Sequence, residues 1–338
     1  MSLAGKKVAF VFPGQGSQKV GMGKAWAEAS PEARATLEEA DAVLGFPLSR
    51  LCFEGPEEEL NLTANTQPAL VAVSVAVLRA VAALAPELAP VVVAGHSLGE
   101  YSALVAAGAL DFADALRLVR RRGELMQAAV PVGVGAMAAI LGLDPETNAA
   151  IAAEATAAAA ADNPALGEIC AVANYNGPAQ TVLAGHKGAV DRAVALAKAR
   201  GAKKATLLAV SAPFHSPLMR PARDGMAPLL EATRFHDPRV PVMTNADAAP
   251  VSTGEAARDA LIRQIDSPVR WAESILAMEE TFGVEAFVEV GPGNILSGMN
   301  RRIVVRGART TGISDPDHLR QLLAPEPDEK DEKEAGRC

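Results

Sequence analysis

Val91-Val92-Val93-Ala94-Gly95-His96-Ser97-Leu98-Gly99-Glu100-Tyr101-Ser102-Ala103-Leu104-Val105-Ala106-Ala107 is the stretch on which the fold turns. Four apolar residues of strand type run into Gly-His-Ser-Leu-Gly, and a helix-forming run follows at once. A strand that enters a helix through G-x-S-x-G puts the serine on a sharp turn, with glycines on both sides to keep neighbouring side chains away. The turn lifts Ser97 Oγ out of the sheet. It also aims the first backbone N–H groups of the helix at an oxygen that becomes negative during acyl transfer. The competing reading is a tight turn with a surface serine; the strand–turn–helix setting favours the elbow.

The flanks extend the pattern. Lys7 to Phe12 is an apolar run stopped by Pro13-Gly14 and reads as a strand buried on both faces. Helical patterns cover Pro31 to Leu44, Pro68 to Leu84 and Asp111 to Val130. This alternation predicts an α/β protein with a mostly parallel sheet and helices on both faces. The middle of the chain has another rhythm: strand Gly135 to Leu141, helix Pro145 to Ala161, strands Ile169 to Asn174 and Thr181 to Ala184, helix Gly188 to Arg200, strand Lys204 to Val210. That β-α-β-β-α-β order is ferredoxin-like. The parent pattern resumes with a helix from Pro217 to Thr233, a strand at Val240 to Thr244 and helices at Glu255 to Ile265 and Trp271 to Phe282. It closes with a strand at Glu285 to Val290 and a helix from Ile295 to Val304. We therefore expect a discontinuous core, residues 1–132 and 210–324, with an inserted subdomain at 133–209. Residues 325–338 are nearly all charged or small and are expected to be disordered.

Composition bounds the function. The 338 residues are 49% hydrophobic and 21% charged, as in soluble globular proteins. Aromatics are only 4%, so Ala, Val and Leu must build the core. A net charge of −8 argues against nucleic-acid binding but leaves room for a local basic patch and an acidic protein partner. Cys52, Cys170 and Cys338 are odd in number and have no C-x-x-C spacing, which disfavours disulfides and zinc and fits a reducing cytosol. The run from Pro68 to Val93 is broken by Arg79, Pro86, Glu87 and Pro90, so it reads as a buried helix and a strand, not a membrane span.

A serine nucleophile needs a base. His96 adjoins Ser97 but alternation turns it away, His186 sits in a turn of the insert, and His236 and His318 look exposed. His215, in Ala212-Pro213-Phe214-His215-Ser216-Pro217, lies between a strand and a helix in a segment stiffened by two prolines. Asp144, Asp162 and Asp191 fall between serine and histidine, but they look like caps and solvated charges, so a Ser–His dyad is preferred to a triad. Arg120-Arg121-Arg122 reads as a solvated face for two of the three. Arg122 falls on the apolar stripe of Ala115, Leu118, Val119, Met126 and Ala129, where it needs either an acidic partner or an anionic ligand. Gln264, on the stripe of Ala257, Ala260 and Leu261, is a second buried polar group, either structural or part of a site.

These residues resemble malonyl-CoA:acyl carrier protein transacylases. The likeness is carried by Phe12-Pro13-Gly14-Gln15-Gly16-Ser17-Gln18, Thr66-Gln67-Pro68-Ala69, Gly95-His96-Ser97-Leu98-Gly99-Glu100, Ala212-Pro213-Phe214-His215-Ser216 and Glu289-Val290-Gly291-Pro292-Gly293, and spans about Lys6 to Leu323. The resemblance implies a hydrolase-like core with a ferredoxin-like insert, matching the pattern above. It implies Ser97 as the acylated nucleophile, His215 as base, and backbone N–H groups of Gln15 and Leu98 as the oxyanion hole. It implies that Arg122 grips the malonyl carboxylate and that Gln264 orients His215 through its backbone carbonyl. Phe214 resembles the aromatic residue that accompanies malonyl selectivity. Acyl carrier protein and coenzyme A thioesters are then the partners, fatty acid synthesis the pathway, and no metal or bound cofactor is expected. A cytoplasmic monomer without membrane contact is expected. A polyketide acyltransferase and a serine thioesterase are the rivals. Lys198, Arg200, Lys203, Lys204, Arg301 and Arg302 are candidate contacts for an acidic carrier.

Overall fold

A computed structural model describes residues 2–162, 167–210 and 212–324. The tail expected at 325–338, Ser211 and the side chain of Asp162 lie outside the described residues. Among the described residues, ten strands form two sheets. The larger is built from β1 (Val8–Phe12), β2 (Pro90–Gly95), β7 (Val242–Met243), β8 (Pro250–Val251), β9 (Ala286–Glu289) and β10 (Arg309–Gly312), in the order β10-β9-β1-β2-β7-β8. All its pairings are parallel except β7 with β8.

The apolar runs are long because this sheet is covered on both sides. Along β1, Val8, Phe10 and Phe12 enter one core, while Ala9 and Val11 enter the other. Val93 and Val92 divide in the same way on β2, as do Val288 and Phe287 on β9. The first core is packed by the helices Pro31–Leu44, Thr63–Leu84 and Phe112–Ala128, the second by Trp271–Thr281.

The smaller sheet contains β3 (Gly135–Leu141), β4 (Cys170–Gly177), β5 (Gln180–His186) and β6 (Lys204–Leu207), antiparallel throughout, in the order β4-β5-β3-β6. With the helices Pro145–Asp162 and Lys187–Ala199 it has the ferredoxin-like order, around a core of Ala138, Ile140, Ile151, Leu183 and Val190. β4 is also stitched to the larger body. Tyr175 N–H donates to the Val269 carbonyl at 2.9 Å, and Val269 N–H to the Ala173 carbonyl at 2.8 Å.

Several expected boundaries are corrected. The helix expected from Pro68 begins at Thr63 and holds Pro68 in its interior. Proline leaves the carbonyl four residues back without its helical donor. Here that carbonyl, on Ala64, accepts from Arg120 Nη1 at 3.0 Å, so Arg120 is more than the solvated charge expected of it. The segment after His215 starts as a 3₁₀ turn, Pro217–Met219, before the helix Arg220–Ala232. The helix expected to reach Val304 ends at Asn300, and the strand expected to reach Val210 ends at Leu207. β8, β10 and the helices Lys24–Ala29, Leu48–Glu54, Glu57–Leu60 and Pro316–Leu323 lie outside the sequence reading. The helix Thr63–Leu84 is long and apolar enough to cross a membrane, and 72% of its most apolar window is buried within the fold.

Candidate active site

The elbow works because its glycines touch. A Cβ on Gly95 would fall 1.9 Å from the Gly99 carbonyl, and one on Gly99 would fall 2.3 Å from the Phe12 carbonyl oxygen. The turn between β2 and the helix Gly99–Ala106 is therefore too tight for any other residue at either position. Ser97, at its apex, has a φ of 53°, and His215 has a φ of 56°. Left-handed backbone at a non-glycine residue, found among the described residues also at Ala248 (φ 51°), costs energy and clusters at functional sites.

Ser97 and His215 meet. Ser97 Oγ lies 2.6 Å from His215 Nε2, across 118 positions of sequence. His215 Nδ1 lies 3.0 Å from the backbone carbonyl of Gln264, which can only accept. Nδ1 must therefore carry the proton, which leaves Nε2 bare and able to take the serine proton. Burial, aided by the positive charge of Arg122, lowers the imidazole pKa from 6.5 to about 3. The base is thus neutral at physiological pH.

Arg122 is 1% exposed, on the helix Phe112–Ala128. Its Nη1 donates to Gln67 Oε1 at 2.9 Å, and its Nη2 to Gln264 Oε1 at 2.8 Å and to Ser97 Oγ at 3.1 Å. Among the described residues it makes no ion pair, and its Nε–H has no acceptor. Glu100 is close enough to favour the charged guanidinium, but burial is the larger influence and lowers the arginine pKa. The cation is anchored by neutral amides, with Nη2 against the serine oxygen and Nε–H unsatisfied. That arrangement suits an incoming carboxylate.

Gln264 closes the network: besides holding Arg122 and His215, its Nε2 donates to the Ser97 carbonyl and to Glu100 Oε2, each at 2.9 Å. The loop Pro13-Gly14-Gln15 presses on the elbow, where a Cβ on Gly14 would meet the His96 carbonyl oxygen at 2.5 Å. From behind, Gly291 (φ 140°) lets the Glu289–Gly293 segment close on Pro13 and Ser74. Among the described residues, neither the Gln15 nor the Leu98 backbone N–H has an acceptor. Phe214, 9% exposed, adjoins the base in sequence and is buried in the first core.

The remaining candidates are placed elsewhere. His96 turns away, with Nε2 2.9 Å from Asn176 Oδ1. His186 accepts from Ile169 N–H, while His236 and His318 are half-buried rather than exposed. Asp144 caps a helix through Thr147, and Asp191 pairs with Lys187. Cys52 and Cys170 are buried and free. Sequence reasoning gave no role to Gln67, Glu100, Asn176 or Asn245. Gln67 was open to the argument applied to Gln264, since it is a buried amide in an apolar helix. Asn245 carried no such signal.

A serine, a neutral base and an arginine without an ion pair among the described residues, gathered at an α/β elbow, fit acyl transfer. The family model for the acyl transferase domain matches residues 9–311, and the chain belongs to that family. Among its relatives is the malonyl CoA-acyl carrier protein transacylase of Escherichia coli K12, 51% identical over 88% of this chain and 92% of that protein. The enzyme of that name from Bacillus subtilis is 45% identical over 96% and 99% of the two chains. Solved neighbours include a type II PKS acyl-carrier protein in complex with its malonyl-transacylase (TM-score 0.87, 46% identity, 94% and 99% covered). Another is an acyl carrier protein S-malonyltransferase from Vibrio cholerae (TM-score 0.88, 46% identity, 94% and 99% covered).

Proposed function

We propose that this protein transfers malonyl from malonyl-CoA to the phosphopantetheine thiol of acyl carrier protein through an ester on Ser97, supplying extender units for fatty acid synthesis. The observation that carries the reading is Ser97 Oγ held 2.6 Å from a bare imidazole nitrogen and 3.1 Å from a guanidinium with no acidic partner among the described residues. His215 Nε2 takes the hydroxyl proton as Oγ attacks the thioester carbonyl. The carbonyl oxygen becomes negative against the free N–H groups of Gln15 and Leu98. Collapse breaks the carbon–sulfur bond, and the His215 proton leaves on the CoA thiol. The carrier thiol then gives its proton to His215, attacks the serine ester, and the same steps run backward. Every proton and bond is accounted for, so the cycle calls on no metal or bound organic cofactor.

Arg122 sets the acyl class. Acetyl leaves the buried guanidinium unpaired, whereas malonyl satisfies it. Phe214, next to the base in sequence and packed in the first core, is the residue to which we assign selectivity for malonyl over branched malonyl groups, on the resemblance alone. Lys203 and Arg302 line one cavity of about 190 Å³ with Asn176, the residue bonded to His96, and are the basic contacts we assign to an acidic carrier. The test is acylation followed by discharge. Malonyl should load Ser97, survive in water, and leave when holo carrier protein is added. Rapid loss to water would instead identify a thioesterase.

A further inference from the structure

Glu100 follows the second elbow glycine and is 1% exposed, and among the described residues it makes no ion pair. Burial raises its carboxyl pKa from 4.5 to about 7, so near neutrality part of the population is protonated. A buried acid without a cation in contact is costly and asks for a reason. Two donors converge on one of its oxygens. The Asn245 backbone N–H reaches Oε2 at 2.8 Å, and Gln264 Nε2 reaches it at 2.9 Å.

Both donors lead to the reacting groups. The Asn245 side chain clamps the elbow: its Oδ1 accepts from Ser97 N–H at 2.6 Å, and its Nδ2 donates to the Gly95 carbonyl at 2.7 Å. The Gln264 amide has two orientations of nearly equal shape. In the observed one its oxygen faces Arg122 Nη2 at 2.8 Å. Flipped, its NH₂ would confront the guanidinium, donor against donor. The acceptors on the Nε2 side, Ser97 carbonyl and Glu100 Oε2, hold the useful orientation.

We propose that Glu100 is a positioning residue that, through one oxygen, sets both the Arg122 grip and the Ser97 elbow. The proposal rests on the malonyl-transfer reading above. Both bonds require an oxygen at the right reach, not a charge, and a carboxyl protonated on its other oxygen serves equally.

The test uses the full chain, with folding checked by circular dichroism and thermal unfolding, and single-turnover loading from malonyl-CoA and acetyl-CoA. Glu100→Gln keeps the reach and the acceptor while removing the charge, and is expected within about fivefold of wild type. Glu100→Asp keeps the charge and withdraws the oxygen by one methylene. Its saturated malonyl loading rate is expected to fall about 100-fold, as misplacement by about an ångström costs that much. Its preference for malonyl over acetyl should fall about tenfold. If the aspartate variant does not fold, Glu100→Met, similar in length without an oxygen, carries the same expectation. Loss in Glu100→Gln equal to that in Glu100→Asp would show that an oxygen at the right reach does not suffice, and would overturn the proposal. Wild-type rate and preference in Glu100→Asp or Glu100→Met would overturn it too. A wild-type protein that takes no malonyl on Ser97 is a separate result, which removes the transfer reading and this inference with it.

Discussion

Arg122 could have been a structural arginine, tied to a buried acid and silent in the chemistry. Its neighbours argue otherwise, because Gln67 and Gln264 hold it without neutralising it and its third contact is the serine oxygen. Arg122→Ala is accordingly expected to slow malonyl loading by roughly two to four orders of magnitude and acetyl loading far less. Single-turnover rates for the two thioesters check this, and equal losses would contradict the role. His215 makes a prediction of the opposite kind. With its pKa held at about 3 instead of 6.5, it stays an unprotonated base as the solution is acidified. The loading rate should therefore show no inflection near the ordinary imidazole value between about pH 8 and about pH 5. His215 and Glu100 tilt stability in opposite directions. Between about 6.5 and about 3 the unfolded histidine binds a proton that the folded one refuses, so acidification weakens the fold. Folded Glu100, at about 7 against 4.5 unfolded, binds the extra proton instead, so its favourable contribution is present below 4.5 and is lost as pH rises through 7. Urea unfolding should then show wild type losing ground to Glu100→Gln as pH rises from about 4.5 to about 7; a difference moving the other way would contradict the raised carboxyl.

At the scale of elements, close backbone approach explains what was legible and what was not. The strands β1, β2 and β9 could be read because burial on both faces makes continuous apolar runs. β10, Arg-Thr-Thr-Gly at a half-buried edge, has neither an apolar run nor alternation, so nothing in its composition marks it. Pro68 reads in the sequence as a helix start, whereas Arg120, a side chain from another helix, supplies the missing donor and lets the helix begin at Thr63. The helix Pro316–Leu323 did carry signals, an Asp315 cap accepting from His318 N–H and a proline in its first turn. Ser97, His215 and Arg122 were legible because each breaks a local rule. Asn245 and Glu100 were not, since their meaning lies in partners about 145 positions away. Two substitutions test the close contacts. Gly99→Ala should cost about 3 kcal/mol or more, because the new methyl meets backbone rather than a yielding side chain. Arg120→Ala should cost only about 1 kcal/mol, since its guanidinium is partly solvated and water can reach the Ala64 carbonyl. Denaturant titration measures both, and the reverse ranking would contradict the packing argument.

Across the whole molecule, two sheets of different construction meet beside one serine. The parallel sheet delivers Ser97 at the end of β2, as open α/β folds place ligands outside the carboxyl ends of their strands. The antiparallel sheet leads, through the loop after β6, to His215, and sends Asn176 from β4 to His96. β4 is stitched to Val269, so the small sheet is held against the large one rather than tethered by its ends alone. Intact-protein mass spectrometry with peptide mapping, after mixing with malonyl-CoA and then with holo carrier protein, reads the outcome of this convergence. The expected result is one malonyl on the peptide containing Ser97, absent in Ser97→Ala, that moves to the carrier thiol when the carrier is added. A protein that stays unmodified, or carries the acyl group on another residue, would contradict the account.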